Sequence, residues 1–371
     1  MTTLIEPRTL LLTGSPRERG RAHGEELRPT ILSGMGRWKA AIQAAVAIPI
    51  EAYLDDFTAR TDFLPAIERW TPHLLEEVRG IGEGAGISFR DAYAYQLMDE
   101  EWLFRVDLIR GLQPLEHCSM VGLFGQGAPP ILAQNMDLPK YYDDTQTLLR
   151  IRDHSRDLDS LVFTAAGIIG TTGLNSRGIG ICCNTLAQLS HAYHGLPVGF
   201  IVRRALESTT LDEASLFVRE AAHASGQNYA IGAPDGVVDF ECSAHKVVPF
   251  SLGNTHVYHT NHPLANDDLQ PRAGKSGPAT AGEPTDTRSP MSNSEQRFAY
   301  LEQTVGGTAP PHTVPEVQAV LSTCTAPINV GRAGSGDGMT LGSLVMELTT
   351  PPVLHYAPGP PAETAYGRWT L

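Results

Sequence analysis

The chain has no apolar run of about 18 residues, so no membrane-spanning helix is expected. It opens MTTLIEPRTLLLTGSPRERG, without the basic start, apolar stretch and small-residue cleavage site of a secretory signal. Cysteine is scarce: five residues, at 118, 182, 183, 242 and 324. An odd, scattered set does not form a disulfide framework, and it points to reduced thiols in the cytoplasm. Cys182 and Cys183 are neighbours in a strand-like run, where successive side chains face opposite ways, so a bridge between them would be strained. Basic residues are also few, 28 against 41 acidic, for a net charge of −13. With no Lys/Arg run, a nucleic-acid partner is not expected, and the acidity serves solubility. HExxH and Cys-x-x-Cys are both missing. His256, His259 and His262 are spaced by three, as are His191 and His194, but on a strand and turn that period does not bring the imidazoles onto one face. No metal or other cofactor is expected.

At 42% hydrophobic and 19% charged, 371 residues suffice for a large core, and global disorder is excluded. There is no internal repeat. A short strand over 8–13 leads into a helix with Ser15 as N-cap, Pro16 at the first helical position and Glu18 closing a capping box. Gly20 and Gly24 share one face of that helix. Glycine there costs about 1 kcal/mol against alanine, so the pair predicts close backbone packing. Pro29 ends or kinks the helix, another follows Thr71-Pro72, and Ser88 with Asp91 makes a second capping box ahead of a third. Residues 1–117 therefore read as mostly helical. From Cys118 strands take over: 148–152, 161–167, 168–175 and 178–185, with a tight turn at Asn175-Ser176-Arg177-Gly178. A helical span from Val198 to Ala224 breaks at Thr209-Thr210, and Asp235-Gly236 turns a further hairpin. Residues 266–293 read as a polar loop, followed by helices over 294–305 and 314–323 and a last strand, TLGSLVMELT. Pattern alone supports an α+β fold.

The switch falls in the stretch Glu116–Asp144. Cys118 begins an apolar run, CSMVGLF; GQGAPP turns the chain, and ILAQNMD returns, so the thiol sits at the first residue of a β-hairpin. A lone strand cysteine is usually a small buried hydrophobe. Here the return strand ends in Asn135-Met136-Asp137, and a second polar cluster, His259-Thr260-Asn261-His262, ends another apolar run downstream.

Six blocks in order, Cys118, QNMD (134–137), AAGIIGTTGLNSRGIG (165–180), ALEST (205–209), FECS (240–243) and HTNHP (259–263), give the chain a resemblance to a known family. It resembles the isopenicillin N acyltransferase family of self-cleaving N-terminal-nucleophile cysteine hydrolases. The resemblance implies a four-layer αββα fold in one domain, 1–371. It also implies a precursor that cuts itself between His117 and Cys118 into an α chain, 1–117, and a β chain, 118–371, that stay together as a heterodimer. Cleavage has a chemical purpose: it frees an α-amine, reference pKa about 7.7–8.0, as a base beside the thiol, where an amide nitrogen cannot serve. Residue by residue, Cys118 takes the nucleophile position. Asp137 matches the aspartate that holds the α-amine and thiol, and Asn261 matches the oxyanion-hole asparagine. Asn184 falls near a backbone oxyanion donor of the related bile salt hydrolases. Ser243 matches a supporting serine and Arg332 an Arg-Ala pair; a surface hydroxyl and a structural salt bridge are the alternatives for these two. The chain departs from the pattern in three places. His117 stands where glycine is common before the nucleophile. Gly336-Asp337 stands where the fungal acyltransferase has Ser-Arg. In the Arg-x-Glu pair matched by Asp99-Glu100-Glu101, only Glu101 agrees.

The implied reaction is hydrolysis of a non-peptide or peptide-like N-acyl amide through an acyl-thioester on Cys118, on a small-molecule substrate. Acyl transfer to an amine, for example from acyl-CoA, is the alternative, since it needs only an acceptor that outcompetes water. A papain-like protease would put its cysteine at a helix start, whereas Cys118 starts a strand. A metal-dependent hydrolase and a non-catalytic binding protein remain as distant readings, separable by metal analysis and by whether the chain cleaves itself.

Overall fold

The computed structural model describes residues 8–109, 118–125, 127–270, 291–307 and 313–371. His117, with the rest of the segment before the nucleophile, and most of the polar loop over 266–293 lie outside them. Strand β1 (Thr9–Leu12) precedes seven helices: α1 (Pro16–Glu26), α2 (Arg28–Val46), α3 (Ile50–Arg60), α4 (Leu64–Trp70), α5 (Pro72–Ala85), α6 (Phe89–Gln96) and α7 (Met98–Leu108). Then come β2 (Ser119–Leu123), β3 (Ile131–Pro139), β4 (Gln146–Asp153), β5 (Leu158–Ala165), β6 (Thr172–Asn175) and β7 (Gly180–Thr185). Helices α8 (Val198–Ala205) and α9 (Leu211–Glu220) lead to β8 (Gln227–Ala233), β9 (Gly236–Cys242), β10 (Val247–Phe250) and β11 (His256–His259). The chain closes with α10 (Asn293–Thr304), α11 (Val314–Leu321), β12 (Gly338–Glu347), β13 (Val353–Ala357) and β14 (Gly367–Thr370).

The helical-to-strand switch at Cys118 and the Ser15 capping box are as expected. Of the expected Ser88–Asp91 capping box only half is present: Ser88 accepts from the Asp91 N–H, while the Asp91 carboxylate turns to Lys39 and Arg90. The TLGSLVMELT strand is not the last. β13 and β14 follow it, missed because Pro-rich turns interrupt a stretch with little alternation.

Two sheets form the centre. One runs β1-β4-β5-β6-β7-β8-β9-β10, the other β11-β2-β3-β12-β13-β14. Every pairing is antiparallel except β1 with β4. Alternation along β2 and β3 explains their unbroken apolar character. Met120 and Leu132 face the other sheet, while Val121, Leu123, Ile131 and Ala133 pack outward on Leu301, Val305, Val317 and Leu321 of the α10–α11 region. Both faces are covered, so both are hydrophobic. The sheets approach closely where the large one has no side chain. A Cβ on Gly232 would lie 2.3 Å from Leu348 Cδ1 of the small sheet's core. On the far side of the large sheet, α1 crosses α5. A Cβ on Gly20 would come within 1.9 Å of the Glu77 carbonyl oxygen and one on Gly80 within 2.2 Å of that of Arg17, the close packing that Gly20 and Gly24 predicted. Helices on the large sheet, two sheets face to face, and α10–α11 on the small sheet make the αββα order.

Candidate active site

Cys118 precedes the first residue of β2, and the pairing of Ser119 with Asn135 carries it to the end of β3. Its Sγ lies 3.7 Å from both Met136 Sδ and the Asp137 carbonyl oxygen. The residue is 6% exposed, and burial, with the charge of Asp137 behind it, pushes the thiol up to about 12. In the intact chain it is therefore a poor thiolate.

Asp137 is 7% exposed, with the Thr340 hydroxyl and the charge of Arg297 as the partners that favour its ionised form. Burial raises its pKa to about 7. The partner strand has a bulge at this point, where the register of β12 shifts between Thr340 and Gly342. Bulges re-aim side chains next to active sites.

Asn261 follows β11 in a loop held at several points. Its amide oxygen accepts from Arg297 Nη2 at 2.8 Å, and its Nδ2 donates to the Thr185 carbonyl at 2.9 Å. Its backbone N–H donates to Ser294 Oγ at 2.8 Å. The guanidinium thus fixes which way the amide faces and leaves the second Nδ2 hydrogen for a ligand. Glu241 of FECS anchors the same loop, accepting from the N–H groups of Leu264, Ala265 and Asn266 and pairing with His259 at 2.9 Å. His259 Nδ1 meets the Thr260 carbonyl at 2.9 Å, so both ring nitrogens face acceptors; although burial lowers its pKa, these partners leave it raised overall. The ring is committed to holding the loop. Among the described residues no three His, Cys, Asp or Glu side chains are grouped to hold a metal.

Arg297 was not foreseen. It is fully buried on α10, and its Nη1 donates to the Cys118 carbonyl and to Ser119 Oγ, the latter at 3.0 Å, while Nη2 holds Asn261. One side chain therefore ties the first residue of β2 to the oxyanion candidate. Its only sequence signal was an arginine at a core position of an amphipathic helix.

Cys118, Asp137 and Asn261 line one cavity, together with Met98, Asp99, Trp102, Tyr141, Ile168, Thr171 and Cys183. The remaining candidates lie elsewhere. Asn184 is fully buried, but its Nδ2 reaches only the His259 carbonyl, at 3.5 Å. Leu186 N–H bonds the Gly226 carbonyl, and alternation along the ladder turns the Asn184 N–H toward Asn228, away from the cavity. Ser243 Oγ donates to Asp268 at 2.6 Å and accepts from the backbone N–H of Lys246 at 3.0 Å, closing the β9–β10 turn. Arg332 contacts Asp143 at 3.3 Å and Glu363 at 3.6 Å, which is the salt-bridge alternative. His23 is buried as an acceptor for the Gly167 N–H at 2.9 Å, with its pKa lowered to about 4 by burial.

A raised carboxylate has a consequence for stability. Between an unfolded value of about 3.9 and the folded value of about 7, the native state binds more protons than the unfolded one, so stability falls as pH rises through that window. In an uncleaved Cys118→Ala background, Asp137→Asn is expected to raise the melting temperature by a few degrees at pH 8 and to change it little near pH 4. A difference that does not vary with pH would refute the raised carboxyl at Asp137.

Two face-to-face sheets between helical layers, with a cysteine just before a central strand, make the αββα arrangement of the fold. The chain belongs to the acyl-coenzyme A:6-aminopenicillanic acid acyl-transferase family, whose sequence pattern matches residues 124–333. The 40 kDa form of acyl-coenzyme A:6-aminopenicillanic-acid-acyltransferase from Emericella nidulans is 28% identical over 207 residues, 54% of each chain, so the match spans about half of that relative's length. Among solved structures, a mutant conjugated bile acid hydrolase from Clostridium perfringens is 12% identical with a TM-score of 0.45, over 68% of this chain and 92% of that one. A Caenorhabditis elegans ortholog of N-acylethanolamine-hydrolyzing acid amidase is 15% identical with a TM-score of 0.42, over 68% and 100%.

Proposed function

We propose that this protein is a self-cleaving N-terminal cysteine amidohydrolase, converted from a single-chain precursor to chains 1–117 and 118–371 that stay associated. The observation that carries the reading is the convergence of Cys118, Asp137 and Asn261 on one cavity, with Arg297 holding both the cysteine's carbonyl and the asparagine's amide. Cleavage begins when Cys118 Sγ attacks the His117 carbonyl carbon. The C–N bond breaks, the nitrogen takes a proton, and a thioester forms. Water then hydrolyses the thioester, leaving a carboxylate on His117 and a free α-amine on Cys118. That amine takes the thiol proton in the next reaction, and Asp137, now with a cation beside it, stabilises the resulting ammonium. The substrate's carbonyl carbon receives the thiolate, and the developing oxyanion meets Asn261 Nδ2–H. The amine leaves with the proton, and water releases the acid from the acyl-thioester.

Relatives include an acyltransferase, and transfer to an amine uses the same thioester. Hydrolysis is preferred because water needs no acceptor site. The unpaired cysteines fit a reducing compartment, the cytoplasm. Intact-mass measurement of purified protein tests the reading: two fragments meeting at residues 117 and 118 are expected. kcat/KM for a simple N-acyl amine is expected to rise with pH through about 7.7–8.0 as the free amine appears. A chain that stays whole and turns over no amide would end the proposal.

A further inference from the structure

The cavity's ionisable charge is of one sign. Among the described residues lining it, Asp99 and Asp137 are carboxylates, and none is Lys, Arg or His. Most of the remaining wall is apolar or aromatic, with Met98, Trp102, Leu138, Tyr141 and Ile168 prominent. Asp99 stands in the first turn of α7. Its Oδ2 accepts from Thr185 Oγ1 at 2.8 Å and from Gln227 Nε2 at 2.5 Å, and its Oδ1 makes no hydrogen bond or ion pair among the described residues. Asp137, nine-tenths buried, lines the same space, with Thr340 and the charge of Arg297 beside it. Desolvation raises both carboxyls, outweighing Thr340 and the Arg297 charge at Asp137 and the bonds from Thr185 and Gln227 at the half-buried Asp99. Processing supplies a cation for Asp137 at the Cys118 α-amine. It supplies none for Asp99.

We propose that the substrate is an amide bearing a protonated amine, which Asp99 Oδ1 holds while the chain between ammonium and scissile bond lies along Trp102 and Tyr141. The proposal rests on the amidohydrolase reading and narrows it to cationic amides, such as diamines acylated on one nitrogen or amides of amino-substituted acids. An ammonium gains a charge-assisted hydrogen bond to Asp99 and the attraction of the nearby indole face. A substrate carboxylate in the same place would meet like charge in an apolar-walled space. The competing role for Asp99 is structural. It orients Thr185, whose carbonyl holds Asn261, and loss of that role would slow all substrates alike.

The test is a series of N-acyl amides matched in length and ending in ammonium, methyl, hydroxyl or carboxylate, with the charge on the acyl side in one set and on the amine side in another. With processed wild-type enzyme, kcat/KM for the ammonium member of one set is expected to exceed the methyl and hydroxyl members about tenfold or more, with the carboxylate lowest. Asp99→Asn is expected to bring the ammonium-to-methyl ratio toward one; an unchanged ratio would leave only the structural role and overturn the proposal. Wild-type kcat/KM values within twofold across all charges overturn it without recourse to a variant. Protection of Cys118 from iodoacetamide by the same compounds reads binding apart from turnover. Protection by the ammonium member at lower concentration than the methyl member supports the inference even where no amide is cleaved, a result that would sink the amidohydrolase reading alone. Equal protection by all members overturns the inference.

Discussion

Cys118→Ala is expected to give a folded, full-length chain that never separates at the 117–118 bond and has no turnover. In the proposed mechanism the thiol both attacks the His117 carbonyl and later carries the acyl chain, so one substitution removes two reactions. The cost to the fold is small. Cys118 is 6% exposed, its Sγ makes two long contacts, to Met136 Sδ and the Asp137 carbonyl oxygen, both at 3.7 Å, and its backbone carbonyl, which Arg297 grips, is unaffected by the change. Removing one sulfur from such a place costs on the order of 1 kcal/mol, within what a stable chain tolerates. Intact mass, circular dichroism and a substrate assay on one preparation read the three outcomes. Continued cleavage at this bond in the variant would assign the cut to an external protease and remove the self-cleavage step.

Asn261→Ala in processed enzyme is expected to lower kcat by about 10²–10³ while iodoacetamide still labels Cys118. The asparagine's oxygen is occupied by Arg297 and one Nδ2 hydrogen by Thr185; under the proposed mechanism the other hydrogen meets the oxyanion, and its loss is felt in the transition state. Asp137→Asn should behave differently. It removes the charge that holds the α-ammonium, so labelling and turnover are expected to fall together. Arg297→Lys offers an intermediate case, because a lysine keeps the charge but cannot fork to the Cys118 carbonyl and Asn261 at once. Full turnover in processed Asn261→Ala would show that the oxyanion is stabilised elsewhere.

Much of this was legible before the fold was known. The capping residues Ser15 and Pro16, the glycines of α1, the break at Thr209-Thr210 and the hairpin turn at Asp235-Gly236 are local devices, written in adjacent residues. Cys118, Asp137 and Asn261 were also legible, because each falls where an apolar run begins or ends in a block of distinctive order. Ser243 and Arg332 sat in equally distinctive blocks, yet their side chains serve a turn and an ion pair. A motif records that a residue matters without saying whether it matters to the cavity or to the scaffold. Parity decides for Asn184: on a strand, its neighbours Cys183 and Thr185 face the cavity, and it does not.

The sequence by itself determined the helical and strand halves and the change of texture at Cys118, because periodicity, capping and turn chemistry act over a few residues, and it singled out three residues that line one cavity. Only the tertiary structure decided what surrounds them. Arg297 lies 179 residues from Cys118, and the side chains of Asp99 and Thr185 meet across 86. Neither pairing leaves a local trace, since it arises only when two sheets close face to face and bring α7, α10 and the end of β7 to one place. The charge of the cavity is likewise a property of the closed fold. An aspartate in the first turn of a helix is ordinary, and only the closed fold sets this one in the wall of a largely apolar cavity.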